Sequence, residues 1–402
     1  MKHRSVLLAG AILLAAAASA APRPVWEFAA ESNLYAPPLT ADLHPAPGLE
    51  TVVSDSEAKT LRCVGADGKE LWAFAGGWKK RLASAAALSD ALPDGVRLLA
   101  VGNGDGTLVC LDAATGAERW RADAGAVEWG GCVWAELDGA PPQELIAGTA
   151  DRGVAAFSAD GAPLWRWTAN ARGLLAAADT DRDGRVEIFG ATAWGVFCLG
   201  PDGAPRWEQT TGDDFTGAPC LFQTGAAWRV AVSSVDDDYL WCLNAADGAV
   251  VWRTPLLSGP DTYSGAGTAV ADLDGDGAPE ILAPGLGGHV HTVGADGALR
   301  WVFQTEQATH IAVSAGDVDG DGLPEVLAAS GDHSLYCLDA RGRERWRWTA
   351  GLRLIGPPTL ADVNGDGLTD LLFGGSDRIL RCITAGGRFL PNAMPWPSPT
   401  QR

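Results

Sequence analysis

The sequence is poor in basic residues. It holds 30 Lys and Arg against 50 Asp and Glu, a formal charge of −20 at pH 7. Nucleic acids and anionic membranes are bound through basic faces, so neither is a predicted partner. After residue 20, no apolar run approaches the roughly 20 residues that cross a bilayer. No membrane span is therefore predicted.

Motifs that would identify a common enzyme class are also absent. The chain has no HExxH, P-loop or dinucleotide-binding fingerprint and no recognisable Ser-His-Asp arrangement. It has no adjacent pair of cysteines and no CxxCH haem-attachment site. The sequence therefore favours no particular chemistry.

Residues 1–20 have the pattern of a cleavable export signal. Lys2 and Arg4 precede an apolar run that ends in the small residues 18–20. We expect the mature chain to begin at Ala21, where no cysteine is available to accept lipid. These features predict a soluble protein exported to the periplasm or the extracellular space.

Tryptophan recurs at regular spacing through the rest of the chain. The repeated residues are Trp72, Trp120, Trp165, Trp207, Trp252, Trp301 and Trp346, separated by 48, 45, 42, 45, 49 and 45 residues. Each follows a glycine-containing turn such as GADGKE, with a short apolar strand before the turn. We expect these tryptophans to pack in the core and between repeats. The spacing indicates seven copies of one β unit.

An eighth unit is divided between the two ends of the chain. Residues 361–387 begin a repeat that lacks its tryptophan strand, and PVWEFAA at 24–30 matches that missing strand. A split unit closes a ring of blades and leaves no open sheet edge. The sequence therefore predicts an all-β, eight-bladed β-propeller over residues 21–390, whose last blade is closed by the N-terminal strand. Residues 391–402 form a Pro-rich tail that we expect to be disordered.

The cysteines follow the same repeat. Six occupy one position, two residues before the turn: Cys63, Cys110, Cys198, Cys242, Cys337 and Cys382. Cys132 and Cys220 lie near a second shared position. Equivalent positions in neighbouring blades should be too far apart for a disulfide, which requires Cα atoms within roughly 7 Å. We therefore expect buried free thiols.

Four units carry an acidic nine-residue loop with oxygen-bearing side chains at positions 1, 3, 5 and 9. These residues are Asp179, Asp181, Asp183 and Glu187; Asp272, Asp274, Asp276 and Glu280; Asp317, Asp319, Asp321 and Glu325; and Asp362, Asn364, Asp366 and Asp370. Glycine at position 6 lets the chain fold back, and position 7 can add a backbone carbonyl, from Arg185, Ala278, Leu323 or Leu368. A hard cation with six to eight oxygen ligands explains this pattern, and Ca²⁺ suits it better than the strictly octahedral Mg²⁺.

An EF-hand is the competing explanation for these loops, but its loop has twelve residues and lies between helices. Here the last acid leads directly into a predicted strand. The corresponding loops 42–50, 90–98, 136–144 and 223–231 lack one or more of the acids, so we expect about four calcium ions and leave a weak fifth open. Because the loops contain almost no His and resemble closed sites, the predicted role of calcium is structural.

These units resemble the repeats of two propeller families. LVCLDAATGAERW and LYCLDARGRERW resemble the PQQ-like repeats of the quinoprotein alcohol dehydrogenase-like superfamily, whose members form eight-bladed propellers. The acidic loops, with DLLFGGSD at 370–377, resemble FG-GAP/VCBS-type calcium loops. The resemblance covers residues 24–387 and implies the fold. Quinoproteins of this superfamily hold their quinone beneath two adjacent cysteines, which this chain lacks, so PQQ is not an expected cofactor.

Candidate ligand residues lie in the connections between one unit and the next. They are Tyr35, Trp78, Lys80, Arg81, Trp129, Arg172, Asp214, Tyr263, His310 and Arg353. Aromatic faces beside charged groups suit a glycan or a peptide, although ordinary solvated loops would have the same composition. We predict a non-catalytic binding or scaffold module with a protein or glycan ligand at the channel mouth. The first alternative is a polysaccharide lyase or hydrolase, and the less favoured alternative is a PQQ-dependent dehydrogenase.

Overall fold

The chain folds into eight four-stranded antiparallel sheets. The computed structural model describes residues 21–390 apart from 128–130, 170, 213–214, 216, 235–237, 258–266, 286 and 308–310, and apart from the side chains of 172–174 and 311. The predicted export signal and Pro-rich tail lie outside the described residues. Throughout the described part the regular elements are strands, 32 in all. The prediction of an eight-bladed propeller is confirmed.

The first four blades contain sixteen strands in chain order. Blade 1 comprises β2 (Leu39–Ala41), β3 (Glu50–Asp55), β4 (Thr60–Val64) and β5 (Glu70–Ala75). Blade 2 comprises β6 (Ala87–Ala91), β7 (Arg97–Gly102), β8 (Thr107–Asp112) and β9 (Glu118–Asp123). Blade 3 comprises β10 (Cys132–Ala135), β11 (Glu144–Thr149), β12 (Gly153–Phe157) and β13 (Pro163–Trp167). Blade 4 comprises β14 (Ala171–Ala178), β15 (Glu187–Thr192), β16 (Gly195–Leu199) and β17 (Pro205–Thr210).

The remaining blades follow the same order, except that the last one takes its fourth strand from the N-terminus. Blade 5 comprises β18 (Cys220–Thr224), β19 (Ala227–Ser233), β20 (Tyr239–Asn244) and β21 (Val250–Pro255). Blade 6 comprises β22 (Ala269–Ala271), β23 (Glu280–Gly285), β24 (His289–Gly294) and β25 (Leu299–Gln304). Blade 7 comprises β26 (Ile311–Gly316), β27 (Glu325–Ser330), β28 (Ser334–Leu338) and β29 (Glu344–Thr349). Blade 8 comprises β30 (Thr359–Ala361), β31 (Leu368–Phe373), β32 (Ile379–Arg388) and β1 (Arg23–Ala29).

The antiparallel order separates the loops into two ends of the ring. The loop between the first and second strands of a blade lies at the same end as the turn between the third and fourth strands. We call this the acidic-loop end. The turn between the second and third strands and the link to the next blade lie at the opposite end, the connection end. The predicted calcium ligands and those predicted ligand-binding residues that the structure describes are thus on opposite ends.

The hydrophobic core lies in layers between adjacent blades. One buried cluster joins blades 1 and 2, for example, and includes Leu61, Leu99 and Val109, each fully buried. Equivalent clusters occupy the other blade interfaces, including the closure between blades 8 and 1. The second and third strands are buried on both faces, whereas the fourth strand alternates exposed and half-buried residues. Each blade is therefore stabilised by its neighbours.

In blades 1 to 6 the repeated tryptophan lies on the hairpin turn of the next blade. Its indole Nε1 donates a hydrogen bond of 2.8 to 3.2 Å to a turn carbonyl. The donors are Trp72, Trp120, Trp165, Trp207, Trp252 and Trp301, and the acceptors are Ala113, Ala159, Pro201, Ala245, Ala295 and Ala340. A turn glycine lies beneath each ring, where a Cβ atom would come within 2.5 to 2.8 Å of it. The predicted packing role of these tryptophans is confirmed.

The shared cysteine position lies opposite the tryptophan within the same blade. Cys63 pairs with Trp72 across β4 and β5, and Cys382 pairs with Trp26 across the closing strands. Ala156 and Thr292 take this place in blades 3 and 6. A small side chain here leaves room for the indole. All eight cysteines are buried and free, as predicted.

The N-terminal strand closes the ring as the sequence predicts. β1 pairs antiparallel with β32, with Trp26 opposite Cys382. Glu27 forms an ion pair with Arg381 of β32 at 3.4 Å. Beyond the strand, Glu31 forms an ion pair with Arg62 of blade 1 at 2.7 Å. The N-terminal segment is thereby tied to both sides of the closure.

Replacing Gly203 by alanine should destabilise the protein by about 2–5 kcal/mol, the sum of a left-handed backbone cost and overpacking. Gly203 has φ +76, and the added methyl would meet the Trp165 ring at 2.5 Å. Gly95→Ala is the matched control, because Gly95 has φ +85 and a methyl added there would meet nothing within 4 Å. The control should lose only about 1–2 kcal/mol. Chemical denaturation measures both losses, and equal losses would contradict a role for the tryptophan contact.

Candidate functional site: the acidic loops and the connection end

The four acidic loops, 179–187, 272–280, 317–325 and 362–370, share one hydrogen-bond pattern. The carboxylate at position 1 accepts the N–H of the position 6 glycine at 2.8 to 3.0 Å. The oxygens at positions 3 and 5 accept N–H groups two residues later, at 2.7 to 3.3 Å. The acid at position 9 accepts the N–H of position 2 at 2.8 to 3.1 Å. The backbone thus directs the acids towards one another while their remaining lone pairs stay available.

Three of these loops bring acidic groups close enough to share a cation. Ligand oxygens lie within 4.8 Å of one another in the sets Asp179, Asp181 and Glu187; Asp272, Asp274 and Asp276; and Asp317, Asp319 and Glu325. Loop 362–370 is described throughout but does not hold three acids this close, since its position 3 is the amide of Asn364. The Asn364 side chain instead donates to Asp366 at 3.1 Å.

A further cluster occurs in blade 3, in a loop that the sequence pattern treats as incomplete. Glu136, Asp138 and Glu144 place ligand oxygens within 4.8 Å of one another. Glu136 accepts the N–H groups of Gly139 and Ala140, so its longer side chain takes the place of the usual Asp at position 1. The sequence signal that could have identified it was the retained acid at position 9.

The acid at position 9 is buried in every acidic loop. Glu187 is 1 %, Glu325 2 % and Asp370 0 % exposed. Burial, with neighbouring carboxylates, raises the pKa of Glu325 to about 8 and that of Asp370 to about 6. Burial also raises the pKa of Glu280. These carboxylates are therefore poorly stabilised as anions by the protein alone.

Two buried oxygens in loop 362–370 have no hydrogen-bond partner. They are Oδ1 of Asp362 and Oδ1 of Asp370. An unsatisfied buried carboxylate oxygen is costly unless a cation or another donor binds it. The donor set of the loop consists of oxygen atoms alone, which is the set that Ca²⁺ prefers. The residues present therefore fit a hard divalent cation.

At the connection end, the structure brings two of the predicted ligand residues into contact. The Arg81 guanidinium lies 5.5 Å from the centroid of the Tyr35 ring. Tyr35 lies before blade 1 and Arg81 before blade 2, so the contact joins neighbouring connections. Lys80 and Arg353 are exposed at the same end, Arg353 before blade 8. Four of the ten predicted residues thus lie at least partly exposed on the arc formed by blades 8, 1 and 2.

Trp78 differs from the other predicted ligand residues. Its side chain is 4 % exposed and belongs to the core between blades 1 and 2. The ring packs edge-on against Phe74, with centroids 5.8 Å apart. This position gives Trp78 a packing role and leaves its faces covered. The predicted residues Trp129, Asp214, Tyr263 and His310 and the side chain of Arg172 lie outside the described part of the chain.

Basic residues concentrate on this arc despite the negative charge of the chain. The sequence contains five lysines, of which Lys59, Lys79 and Lys80 lie here beside Arg81. Lys59 Nζ donates to the backbone oxygen of Lys79 at 2.8 Å. Asn103 of blade 2 donates to the carbonyls of Lys80 and Arg81, which holds the connection in place. We call Lys59, Lys79, Lys80 and Arg81 the basic arc.

Three protein families match parts of the sequence. The FG-GAP-like repeat matches residues 317–373, the outer membrane protein assembly factor BamB matches 57–172, and the lambda-carrageenase beta-propeller domain matches 238–316. No match was found among curated proteins. The chain is an eight-bladed β-propeller of PQQ-like and FG-GAP-like repeats.

Solved structures with the same propeller fold span nearly the whole chain. BamB from Moraxella catarrhalis is 16% identical, with a TM-score of 0.66 over 91% of this chain and 98% of its own. The V. cholerae biofilm matrix protein Bap1 is 15% identical, with a TM-score of 0.68 over 94% and 92%. Quinohemoprotein alcohol dehydrogenase from Comamonas testosteroni is 14% identical, with a TM-score of 0.59 over 95% and 78%. At these identities the similarity establishes the fold.

One finding concerns membrane insertion. Within the described part of the chain, no helix has the length and apolar character needed to span a membrane.

Proposed function

We propose that this protein is an exported, calcium-stabilised propeller that acts as a non-catalytic binding or scaffold module. The observation that carries the proposal is the pair of buried, unpartnered carboxylate oxygens on Asp362 and Asp370. The export pattern in residues 1–20 supports a periplasmic or extracellular location, where calcium is abundant enough to fill even weak sites.

Calcium supplies the missing positive charge at the acidic loops. A cation bound by positions 1, 3, 5 and 9, with the carbonyl at position 7, would neutralise acids that the backbone holds together. Position 9 is the first residue of the second strand in three of the four loops. An ion held there ties the loop directly to its blade, which is a structural role.

The basic arc and Tyr35 are the proposed ligand surface, at the end of the ring opposite the acidic loops. A half-buried aromatic ring with a guanidinium over it, beside three lysines, suits an acidic protein surface or an anionic glycan. Similarity to BamB, which is named as an assembly factor, supports a protein partner.

Polysaccharide is the ligand class favoured by a second observation. Residues 238–316 match the propeller domain of a lambda-carrageenase, and Bap1 is a biofilm matrix protein. A polysaccharide lyase or hydrolase is therefore the second candidate function. Incubation with carrageenan, alginate and neutral polysaccharides, followed by assays for new reducing ends and unsaturated products, tests it. Turnover would contradict the proposed non-catalytic role.

The quinoprotein alternative is testable separately. Reconstitution with PQQ followed by a dye-reduction assay with alcohols should give no turnover, because the chain lacks the adjacent cysteine pair on which quinone binding in that superfamily depends. Dye reduction that requires PQQ would contradict the proposal.

Calcium should raise the melting temperature, and chelation should lower it, because the ion binds the folded loops. A site saturated at 100 times its Kd contributes about 2.7 kcal/mol. Asp370→Asn keeps the shape of the position 9 side chain but removes its charge, so it should reduce the calcium-dependent gain without abolishing it. Asp247→Asn, in a hairpin turn outside the acidic loops, is the control. Identical melting curves with and without chelator would reject calcium stabilisation.

Substitution of Lys80 and Arg81 by alanine should weaken ligand binding about tenfold or more, since both charges lie on the proposed surface. Binding is measured on an array of anionic and neutral glycans and by recovery of protein partners from the secreting organism. Lys69→Ala removes an exposed lysine from the acidic-loop end and serves as the control. Equal ligand binding by the Lys80 and Arg81 variant and by the Lys69→Ala control would contradict the assignment of the ligand surface to the basic arc.

A further inference from the structure

We propose that two of the acidic loops contain their own competitor for calcium, an arginine from the outer strand of the same blade. The four loops then fall into two classes: 179–187 and 317–325 are neutralised in part by arginine, whereas 272–280 and 362–370 depend on the ion. This inference rests on the proposed calcium binding and adds which loops bind tightly.

The arginine-filled loops have the same geometry in blades 4 and 7. In blade 4, Arg206 Nη1 lies 2.8 Å from Asp181 Oδ2 and its Nη2 lies 2.9 Å from Glu187 Oε1. In blade 7, Arg345 Nη1 lies 3.2 Å from Glu325 Oε1, and the same guanidinium pairs with Asp319. In both loops the guanidinium bridges the acids at positions 3 and 9.

In blades 6 and 8, no described arginine or lysine forms an ion pair with the acidic loop. Arg300 occupies the equivalent place in blade 6, immediately before the repeated tryptophan, but pairs with Asp296 of its own hairpin turn at 3.1 Å. In blade 8 the equivalent residue is Val25 on β1. No described cation forms an ion pair with loop 362–370, which contains two buried oxygens without a hydrogen-bond partner, whereas the one such oxygen of loop 179–187, Glu187 Oε1, lies 2.9 Å from Arg206.

In blade 7 the hairpin turn offers the arginine no free acid, whereas in blade 4 the turn acid Asp202 is present and Arg206 still binds the loop. The turn residue that holds Arg300 is Asp296, and its counterpart in blade 7 is Arg341, which repels Arg345. The other acid of that turn, Asp339, is already paired with Arg343 at 2.6 Å. Arg345 is therefore left to bind the acidic loop.

Calcium entering an arginine-filled loop must displace the guanidinium or share its acids. A unit positive charge a few ångströms away opposes a divalent ion strongly in a partly buried site. Loops 179–187 and 317–325 should therefore bind calcium more weakly than loops 272–280 and 362–370, although both have the full set of four acids. Without calcium, the arginine keeps these loops folded.

Calorimetric titration of calcium into wild-type protein and into Arg345→Met and Arg206→Met tests the inference. Methionine keeps most of the side-chain stem and removes the charge. Each variant should show one site tightened about tenfold or more, because the competing charge is gone. Each should also melt at a lower temperature than wild type in chelator and recover in calcium. Arg300→Met is the matched control, and its calcium affinities should be unchanged.

A second substitution tests which loop provides the added calcium affinity. Asp317→Asn in the Arg345→Met background should abolish the added affinity if it arises in loop 317–325. If wild type binds calcium but Arg345→Met and Arg206→Met bind it no more tightly than Arg300→Met, the inference is overturned and the proposed function stands. If none of the four proteins binds calcium, both are overturned.

Discussion

The stacking of a tryptophan on a bare glycine turn is the contact on which the ring depends. Each blade is a sheet too small to bury its own apolar residues, so stability comes from the layers between blades. The indole covers the turn of the next blade and donates to its backbone, while the glycine removes the Cβ that would collide with the ring. The same contact explains the small residue opposite each tryptophan. Trp26 and Trp346, on either side of blade 8, have buried indole nitrogens without a partner, so the closure relies more on pairing of the N-terminal strand.

In the acidic loops of this scaffold, carboxylates that repel one another are held close together. Backbone N–H groups hold the side chains inward, and position 9 is buried where the second strand begins. Such an arrangement is unfavourable without positive charge. Arginine supplies it in blades 4 and 7, and calcium is the proposed source elsewhere. The opposite end carries a concentration of lysine and arginine in its proposed ligand surface, so the ring separates its proposed stabilising ions from the surface proposed for binding.

The sequence predicted the ring closely because its periodic signals are local. Trp, turn glycine and small cross-strand residue recur at nearly fixed spacing, and the unmatched strand at 24–30 required a closing partner at the C-terminus. The loop at 136–144 was underestimated because it lacks the acid at position 5, and spacing alone does not show that Glu136, Asp138 and Glu144 still converge. Trp78 was expected at the ligand surface because connections lack periodicity, so exposure could not be inferred. Arg206 and Arg345 bind acids across the blade, which no linear pattern encodes.

Long-wavelength diffraction from crystals grown in calcium tests the central claim most directly, because anomalous scattering identifies the ion and its position. The account predicts a calcium peak in loop 362–370, about 2.3–2.6 Å from oxygens of Asp362 and Asp370, and a second in loop 272–280. Crystals saturated with calcium in which those carboxylate oxygens bind only water or protein donors would contradict it.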